Sequence, residues 1–347
     1  MATFLSILGF LGIPIGLYLS SLVLRGAQTG WAWAWMAVYV LLDLAALWAS
    51  TEPRRARVCA AVGGVVLAMV LAGRLGVRHQ TSVAKLVVLP GERSAPWTAS
   101  LGEEADVAGM GFVGFADFGA ISRTEVTTAR GPLAAAYRRL RADPAYGTVA
   151  TPAIPTLLGM PSGTAFPTVV LNAPTVGEQR PRAVVLLHGL GGGLVLSCWM
   201  LARAMSDAVV ICPSIGLGAD WNSETGYQAY NATVAYAQER SGAVYVIGMS
   251  SGATGLEALI SRNQLGHVAG AVLLSGYEEA GFDGIRRSEI PVLIIRGDHD
   301  PRTPPFDQHG LASLDHVQML EVPGGHYVYL EQQDTVLAAL DDFCAPR

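Results

Sequence analysis

The chain has 347 residues, of which 51% are hydrophobic and only 15% are charged. Such an apolar composition predicts a membrane-embedded part together with a globular part that has an ample core. The net charge is −5 and no block of basic residues occurs, so the sequence lacks the electrostatic footprint of a nucleic-acid-binding protein.

The cysteines indicate neither a metal site nor a redox motif. No two of them form a C-x-x-C pair, and no group of histidines and cysteines has the spacing of metal ligands. We therefore expect no metal and no cofactor. The sequence supports no disulfide framework, and the predicted role is that of small buried apolar residues for Cys59, Cys198, Cys212 and Cys344.

Three apolar runs predict a transmembrane region over residues 1–78, with spans at about 3–24, 31–50 and 58–77. The first is long enough to cross a bilayer and lacks the basic start of a signal peptide. The second opens with three tryptophans, as is typical of a membrane interface, and contains Asp43. A carboxylate at that depth marks either a functional site or a structural residue with a partner, and the sequence leaves both open.

The orientation of these spans is predicted from the arginines of their loops. Arg54, Arg55 and Arg57 crowd the short second loop, which favours a cytoplasmic position for that loop. The C-terminal part is then extracytoplasmic in a multi-pass membrane protein. The opposite side carries slightly more basic residues, which weakens this prediction: Arg25, Arg74, Arg78 and Lys85.

Residues 79–165 are interpreted as a connector that could also cover an active site. A short strand is predicted at 84–89 and a helix at 132–141. Residues 107–118 are rich in glycine and phenylalanine and are read as strand or loop. A Pro- and Gly-rich stretch at 147–163 leads into the next region.

Residues 166–347 show apolar strands that alternate with helical segments. This pattern predicts an α/β domain, whose mainly parallel sheet has helices on both faces and binds ligands beyond the carboxyl ends of its strands. The predicted helices are 195–205, 227–240, the segment after residue 250, and 335–343. The predicted strands are 168–171, 183–187, 208–212, one that starts at Val244, 269–274, 292–295 and 318–322.

The segment from Val244 to Gly255, VYVIGMSSGATG, has the layout of a nucleophile elbow. In such an elbow a strand turns sharply into a helix and presents a strained serine above the sheet edge. Ser250 is the candidate nucleophile. Gly248 and Gly252 are expected to be glycine because a side chain there would strike the neighbouring strand or helix.

A second motif, HGLGGG at 188–193, follows a buried strand. In an acyl-transfer site the backbone N–H of Leu190 and that of Ser251 would bind the oxyanion, while His188 and Gly189 could line the substrate. The alternative is a Gly-rich turn that binds phosphate or nothing. It has no Walker lysine and no G-x-G-x-x-G pattern.

The candidate acid and base follow later strands. GDHDP at 297–301 offers Asp298 and Asp300 as alternatives for the acid, and GGH at 324–326 supplies His326. Each lies in a loop directly after its own strand. Serine, acid and histidine therefore occur in the hydrolase order, which differs from the order in chymotrypsin and subtilisin.

With these four motifs, residues 166–347 resemble the α/β-hydrolase superfamily, in the range of lipases, esterases and dienelactone hydrolases. The resemblance implies a Ser250–His326–Asp300 triad, because the acid of the family commonly takes the fourth position of G-x-x-D. Only 17 residues separate Leu274 from Val292, so the lid that many lipases insert there has no room. The stretch 216–226 is expected to border the site, with Trp221 as a wall or as part of a plain surface loop.

The function predicted from these features is a membrane-anchored serine hydrolase that cleaves a carboxylic ester, with a lipid or other apolar acyl substrate. An acyltransferase with the same triad and an inactive hydrolase-fold scaffold are the alternatives. A transporter built on Asp43 is disfavoured by the three short spans. The expected partners are the acyl substrate and the membrane, without nucleic acid, and no protein partner is predicted.

Overall fold

The computed structural model describes residues 2–75, 83–174, 178–305 and 310–346. The chain divides into two compact units. The first comprises Met1–Arg78 and Ser100–Val126, and the second comprises His79–Ala99 and Thr127–Arg347. The predicted connector, 79–165, is therefore shared between the two units.

The first unit opens with three helices, α1 (Ala2–Gly26), α2 (Gly30–Leu47) and α3 (Pro53–Leu75). Each is long and apolar enough to cross a membrane, which confirms the three predicted apolar helices. The last two residues of the predicted third span, 76 and 77, lie outside the described residues. Helix α1 continues through Pro14.

A row of glycines on α1 lets α2 approach closely. A Cβ placed at Gly9 would lie 2.5 Å from the backbone nitrogen of Leu47, and one at Gly12 would lie 2.1 Å from Asp43 Oδ1. The hydroxyl of Tyr39 donates to the carbonyl of Gly12 at 2.8 Å. Small residues at such a crossing are typical of membrane helix pairs. Asp43 thus lies against α1 rather than on an open helix face.

Helix α4 (Glu104–Asp117) occupies residues that were predicted as strand or loop, and that prediction was wrong. Charged side chains, rather than apolar periodicity, connect this segment with the apolar helices of its own unit. Asp106 Oδ1 accepts from the N–H groups of Gln28 and Thr29 just before α2, both at 2.7 Å. Arg25 and Asp117 form a bidentate ion pair with N–O distances of 2.9 and 2.6 Å.

The second unit is built on a nine-stranded sheet with the order β2-β1-β3-β5-β4-β6-β7-β8-β9. The strands from β5 across to β9 in this order are parallel, whereas β3 runs antiparallel to both of its neighbours. The strands are β1 (Ala84–Leu89), β2 (Arg93–Ser94), β3 (Phe166–Leu171), β4 (Arg180–Leu187), β5 (Ala208–Pro213), β6 (Ser241–Met249), β7 (Gly270–Leu274), β8 (Val292–Gly297) and β9 (Val317–Val322).

Helices cover both faces of this sheet, as predicted for the α/β class. Val244 and Val246 of β6 join one core cluster with residues of the helices after β5 and β6. Tyr245, which points to the other face, meets Phe343 of the last helix edge-on. The helices are α5 (Arg123–Ala142), α6 (Ala153–Leu157), α7 (Val195–Ala204), α8 (Glu224–Gln238), α9 (Ser251–Ser261), α10 (Phe282–Arg287), α11 (Val328–Glu331) and α12 (Gln333–Phe343).

Two parts of the connector complete this second unit. Strand β1 pairs along its whole length with β3, from Ala84 opposite Leu171 to Leu89 opposite Phe166, so the sheet begins before residue 166. The Pro- and Gly-rich stretch 147–163, which was expected to connect, contains α6. The predicted helix at 132–141 is the C-terminal half of α5.

Two of the cysteines differ from the expectation of unpaired apolar residues. Cys198 on α7 and Cys212 on β5 are buried as predicted, but a disulfide joins them. They are 14 positions apart and lie on different elements, so no short motif indicates the pair. Cys59 and Cys344 are free thiols.

Candidate active site

Ser250 lies at the sharp turn between β6 and α9. Its backbone has φ 54° and ψ −121°, a conformation that is rare for a residue with a side chain. A Cβ at Gly248 would lie 2.5 Å from the carbonyl oxygen of Gly252, and one at Gly252 would lie 2.1 Å from the carbonyl oxygen of Leu187. Only glycine fits at these two positions, as the elbow pattern requires.

Ser250, His326 and Asp300 form one continuous hydrogen-bonded chain. Ser250 Oγ lies 2.8 Å from His326 Nε2, and His326 Nδ1 lies 3.0 Å from Asp300 Oδ2. Because a carboxylate only accepts, Nδ1 carries the proton and Nε2 is left to accept from the serine hydroxyl. The three loops that carry these groups all follow parallel strands, whose carboxyl ends meet at one edge of the sheet.

The geometry distinguishes the two candidate acids. Asp300 is buried, and its carboxylate also accepts from Thr303 Oγ1 at 2.6 Å and from the N–H of Arg302 at 2.9 Å. Burial alone would raise the pKa of Asp300, but the hydrogen bonds from His326, Thr303 and Arg302 hold the pKa below its ordinary value. The carboxyl group is therefore ionised at neutral pH.

Asp298 faces a different histidine. Its Oδ1 lies 2.6 Å from Nδ1 of the exposed His299 and accepts from the N–H of Gly324 at 2.9 Å. Asp298 thus ties the loop after β8 to the loop that carries His326. It does not touch the imidazole of His326.

The two N–H groups predicted to bind an oxyanion lie in backbone segments beside Ser250. Neither the N–H of Leu190 nor that of Ser251 has an acceptor among the described residues, although their neighbours do: Gly191 N–H donates to Leu217 O at 2.8 Å and Gly193 N–H to Ser214 Oγ at 3.0 Å. Ser251 is the first residue of α9, so its N–H has no acceptor within the helix. N–H donors without an acceptor at this place can bind the negative charge that develops on an oxyanion.

His188 and Trp221 were expected to line the substrate, but both are buried behind the oxyanion turn. Burial lowers the pKa of His188 to about 4, so its imidazole is neutral. Its Nε2 accepts from the N–H of Ile215 at 3.2 Å and its Nδ1 donates to the carbonyl of Gly189 at 2.8 Å. Trp221 Nε1 donates to the carbonyl of His188 at 3.0 Å. The two side chains therefore fix the backbone of the turn.

Gly189 lies directly against the nucleophile. A Cβ at this position would come within 2.9 Å of Ser250 Cβ. The close approach of Gly189 to Ser250, the sheet with its flanking helices and the serine turn after a central parallel strand together identify the fold. The second unit has the α/β-hydrolase fold.

Comparisons with solved structures find similarity over about half of the chain. No protein-family model and no curated protein matches the sequence. Among solved structures, a predicted CIB-like hydrolase from Thermoplasma acidophilum is 15% identical, with 52% of this chain and 91% of that chain covered and a TM-score of 0.41. Est1E from Butyrivibrio proteoclasticus is 14% identical, with coverage of 51% and 93% and a TM-score of 0.38.

A third similar structure is an α/β serine hydrolase without a lid from Xanthomonas campestris. It is 17% identical, with 51% of this chain and 88% of that chain covered and a TM-score of 0.39. Likeness at this level concerns the fold alone.

Three residues that support this site were not identified from the sequence. Thr303 bonds to Asp300, and Gly276 allows the loop after β7 to pass Ser250, since a Cβ there would lie 2.2 Å from the carbonyl oxygen of Ser250. Ser214 binds the oxyanion turn from the end of β5. Ser214 and Gly276 lie within two residues of the ends of β5 and β7, which was the available signal, whereas Thr303 lies six residues after β8. A lone threonine, glycine or serine in a loop is common. No group of side chains with metal-ligand character occurs in the part of the chain that the structure describes.

Proposed function

We propose that this protein is a membrane-anchored serine hydrolase that cleaves a carboxylic ester with an apolar acyl group. The observation that carries the proposal is the hydrogen-bonded series Ser250–His326–Asp300 next to two backbone N–H groups without acceptors. These parts suffice for acyl transfer. An inactive scaffold of the same fold would need none of this arrangement.

In this mechanism Ser250 Oγ attacks the ester carbonyl while His326 Nε2 takes the hydroxyl proton. Asp300 keeps the proton of Nδ1 in place and stabilises the imidazolium that forms. The N–H groups of Leu190 and Ser251 bind the oxyanion of the tetrahedral intermediate. When the C–O bond breaks, His326 returns the proton to the leaving alkoxide and an acyl-enzyme remains. Water, deprotonated by the same imidazole, then releases the acid and frees Ser250.

The apolar acyl group is inferred from an apolar rim. Among the described residues of the second unit, every large hydrophobic side chain that is strongly exposed lies in this rim, near the oxyanion turn. Its parts are connected by contacts of rim residues and of their neighbours in sequence: Thr98 bonds to Met160, Thr156 packs on Gly192, and Gly191 bonds to Leu217. A cluster of exposed apolar side chains indicates a binding surface, whereas single scattered apolar side chains do not. The rim consists of Trp97, Leu157, Leu158, Met160, Leu190 and Leu217.

The chain has no room for a lipase lid after β7, and this affects how the rim is covered. The 17 residues between β7 and β8 hold only a short helical turn and α10. Helix α6 instead lies beside the oxyanion turn, where the hydroxyls of Thr156 and Ser214 are 2.8 Å apart. The acyl chain of a substrate would therefore lie along an open apolar edge.

The second unit is proposed to lie on the extracytoplasmic side. The loop between α2 and α3 carries Arg54, Arg55 and Arg57, which favours its retention in the cytoplasm. Three spans then bring the chain out on the opposite side. The disulfide between Cys198 and Cys212 supports this side, because disulfides persist in oxidising compartments.

The test of the proposal is covalent labelling of the full-length protein by a fluorophosphonate activity probe. We expect the wild type to be labelled and Ser250→Ala to lose all labelling, since the probe needs the activated hydroxyl. Ser251→Ala is the matched control, because it removes a neighbouring hydroxyl and keeps the backbone N–H. Labelling that persists in Ser250→Ala, or that is absent in the wild type, would contradict the assignment.

A further inference from the structure

A cavity of about 480 Å³ opens beside the elbow and has no role in the mechanism above. One wall is a face of α9 that begins at Ser251, the residue after the nucleophile, and ends at Arg262. The loop after β5 and the loop after β7 form the other walls, with Asp220 and Glu278 among their residues. The volume lies in the range of small-molecule sites.

Glu257 of α9 lines this cavity and is only 2% exposed. Its Oε2 accepts from the backbone N–H of Glu278 at 2.8 Å. Its Oε1 is buried and has no hydrogen-bond partner among the described residues. A buried carboxyl oxygen without a donor is costly, and a positive charge in the cavity beside it would offset part of that cost.

The other charges of the cavity are mainly negative. Asp220 and Glu278 are exposed, and within the described chain neither carboxylate takes part in an ion pair. Arg262 stands at the far end, where Nη1 donates to the carbonyl of Asn222 at 3.3 Å. The two exposed carboxylates would attract a cation to the cavity.

The protonation of Glu257 agrees with an empty cation site. Burial, together with the nearby charge of Glu278, raises the pKa of Glu257 to about 8, so the group is mostly protonated at neutral pH. A cation in the cavity would stabilise the ionised form and restore a full negative charge.

We propose that the cavity beside Ser251 is a subsite for a positively charged ammonium group of the ester substrate. This inference rests on the proposed hydrolase function, since it assigns the cavity to the substrate of Ser250. The apolar rim would hold the acyl chain, while Glu257, Glu278 and Asp220 would hold the ammonium group. Substrates that combine an apolar acyl group with a cationic alcohol are the expected class.

Direct binding tests the subsite without turnover. Choline and its neutral isostere 3,3-dimethyl-1-butanol are titrated onto the full-length protein in nonionic detergent, with ligand saturation-transfer NMR as the readout. We expect choline to bind at least about tenfold more tightly, because only choline gains from the carboxylates. Glu257→Gln and Glu278→Gln should each reduce this preference severalfold, and Asp342→Asn, a remote acid on α12, should leave it unchanged.

Equal binding of the two compounds, or a preference that survives Glu257→Gln, Glu278→Gln and Asp220→Asn together, would overturn the subsite. The thermal unfolding of each variant shows whether the fold is kept, and Glu257→Gln retains an acceptor for the N–H of Glu278. Fluorophosphonate labelling separates the two proposals. Selective choline binding without any labelling of Ser250 would contradict the proposed hydrolase function, and with it the assignment of the cavity to the substrate. Labelling of Ser250 without selective choline binding would contradict only the proposed subsite.

Discussion

At the scale of single residues, the site depends on which of two neighbouring aspartates contacts the imidazole. Asp300 is buried and bonded to His326, whereas Asp298 is bonded to the exposed His299. The sequence alone left both open, because a spacing of two residues in a loop does not say which side chain turns inward. The resemblance to the hydrolases favoured Asp300, and the geometry agrees.

We therefore predict opposite outcomes for two conservative substitutions. Asp300→Asn should lower kcat by about 10³- to 10⁴-fold, since an amide cannot stabilise the imidazolium and favours the wrong imidazole tautomer. Asp298→Asn should change kcat by less than about tenfold, because it alters only a loop contact. The rate of hydrolysis of an activated ester by purified protein measures both. The reverse pattern would make Asp298 the acid.

At the scale of elements, most helices of the second unit and its strands other than β2 followed from apolar runs and the turns between them. Helix α4 did not, because its glycines and phenylalanines have no helical pattern of polarity, and its position depends on ion pairs with distant residues such as Arg25. The disulfide was equally hidden, since two cysteines 14 residues apart carry no signal of pairing. Contacts between distant residues were in each case the missing information.

The three apolar helices allow a prediction of topology. With the loop between α2 and α3 in the cytoplasm, a protease added to intact spheroplasts should degrade the second unit and leave that loop protected. A tag at the C-terminus should be lost under these conditions, while a tag inserted after Glu52 should be cut only after lysis. Protection of the C-terminal tag in intact spheroplasts would reverse the proposed orientation.

At the scale of the whole molecule, the sequence indicated an acyl substrate but not where its chain would lie. The six residues of the apolar rim are separated by up to 120 positions along the chain, from Trp97 to Leu217, and only Leu190 belongs to a recognisable motif. Only the folded chain brings α6 and the loop after β5 to the oxyanion turn. The place where the acyl chain would bind therefore could not be predicted from local sequence patterns.

The rim predicts a dependence on acyl chain length. Leu158→Gln should lower kcat/KM for a dodecanoyl ester by about tenfold, because burial of a leucine against a chain contributes about 1.5–3 kcal/mol. The acetyl ester cannot reach the rim and should change by less than about twofold. Phe118→Gln serves as the control, because Phe118 is an even more exposed apolar residue of the first unit. An equal loss for both esters would argue against the rim.

The strained turn at Ser250 also limits how stable this protein can become. A positive φ at a serine opposes folding by about 1–3 kcal/mol. Substitutions that relax this turn would raise the melting temperature at the expense of turnover. Selection for thermostability alone would thus be expected to erode the elbow first, and a thermostable variant that keeps its activity must gain its stability elsewhere in the sheet.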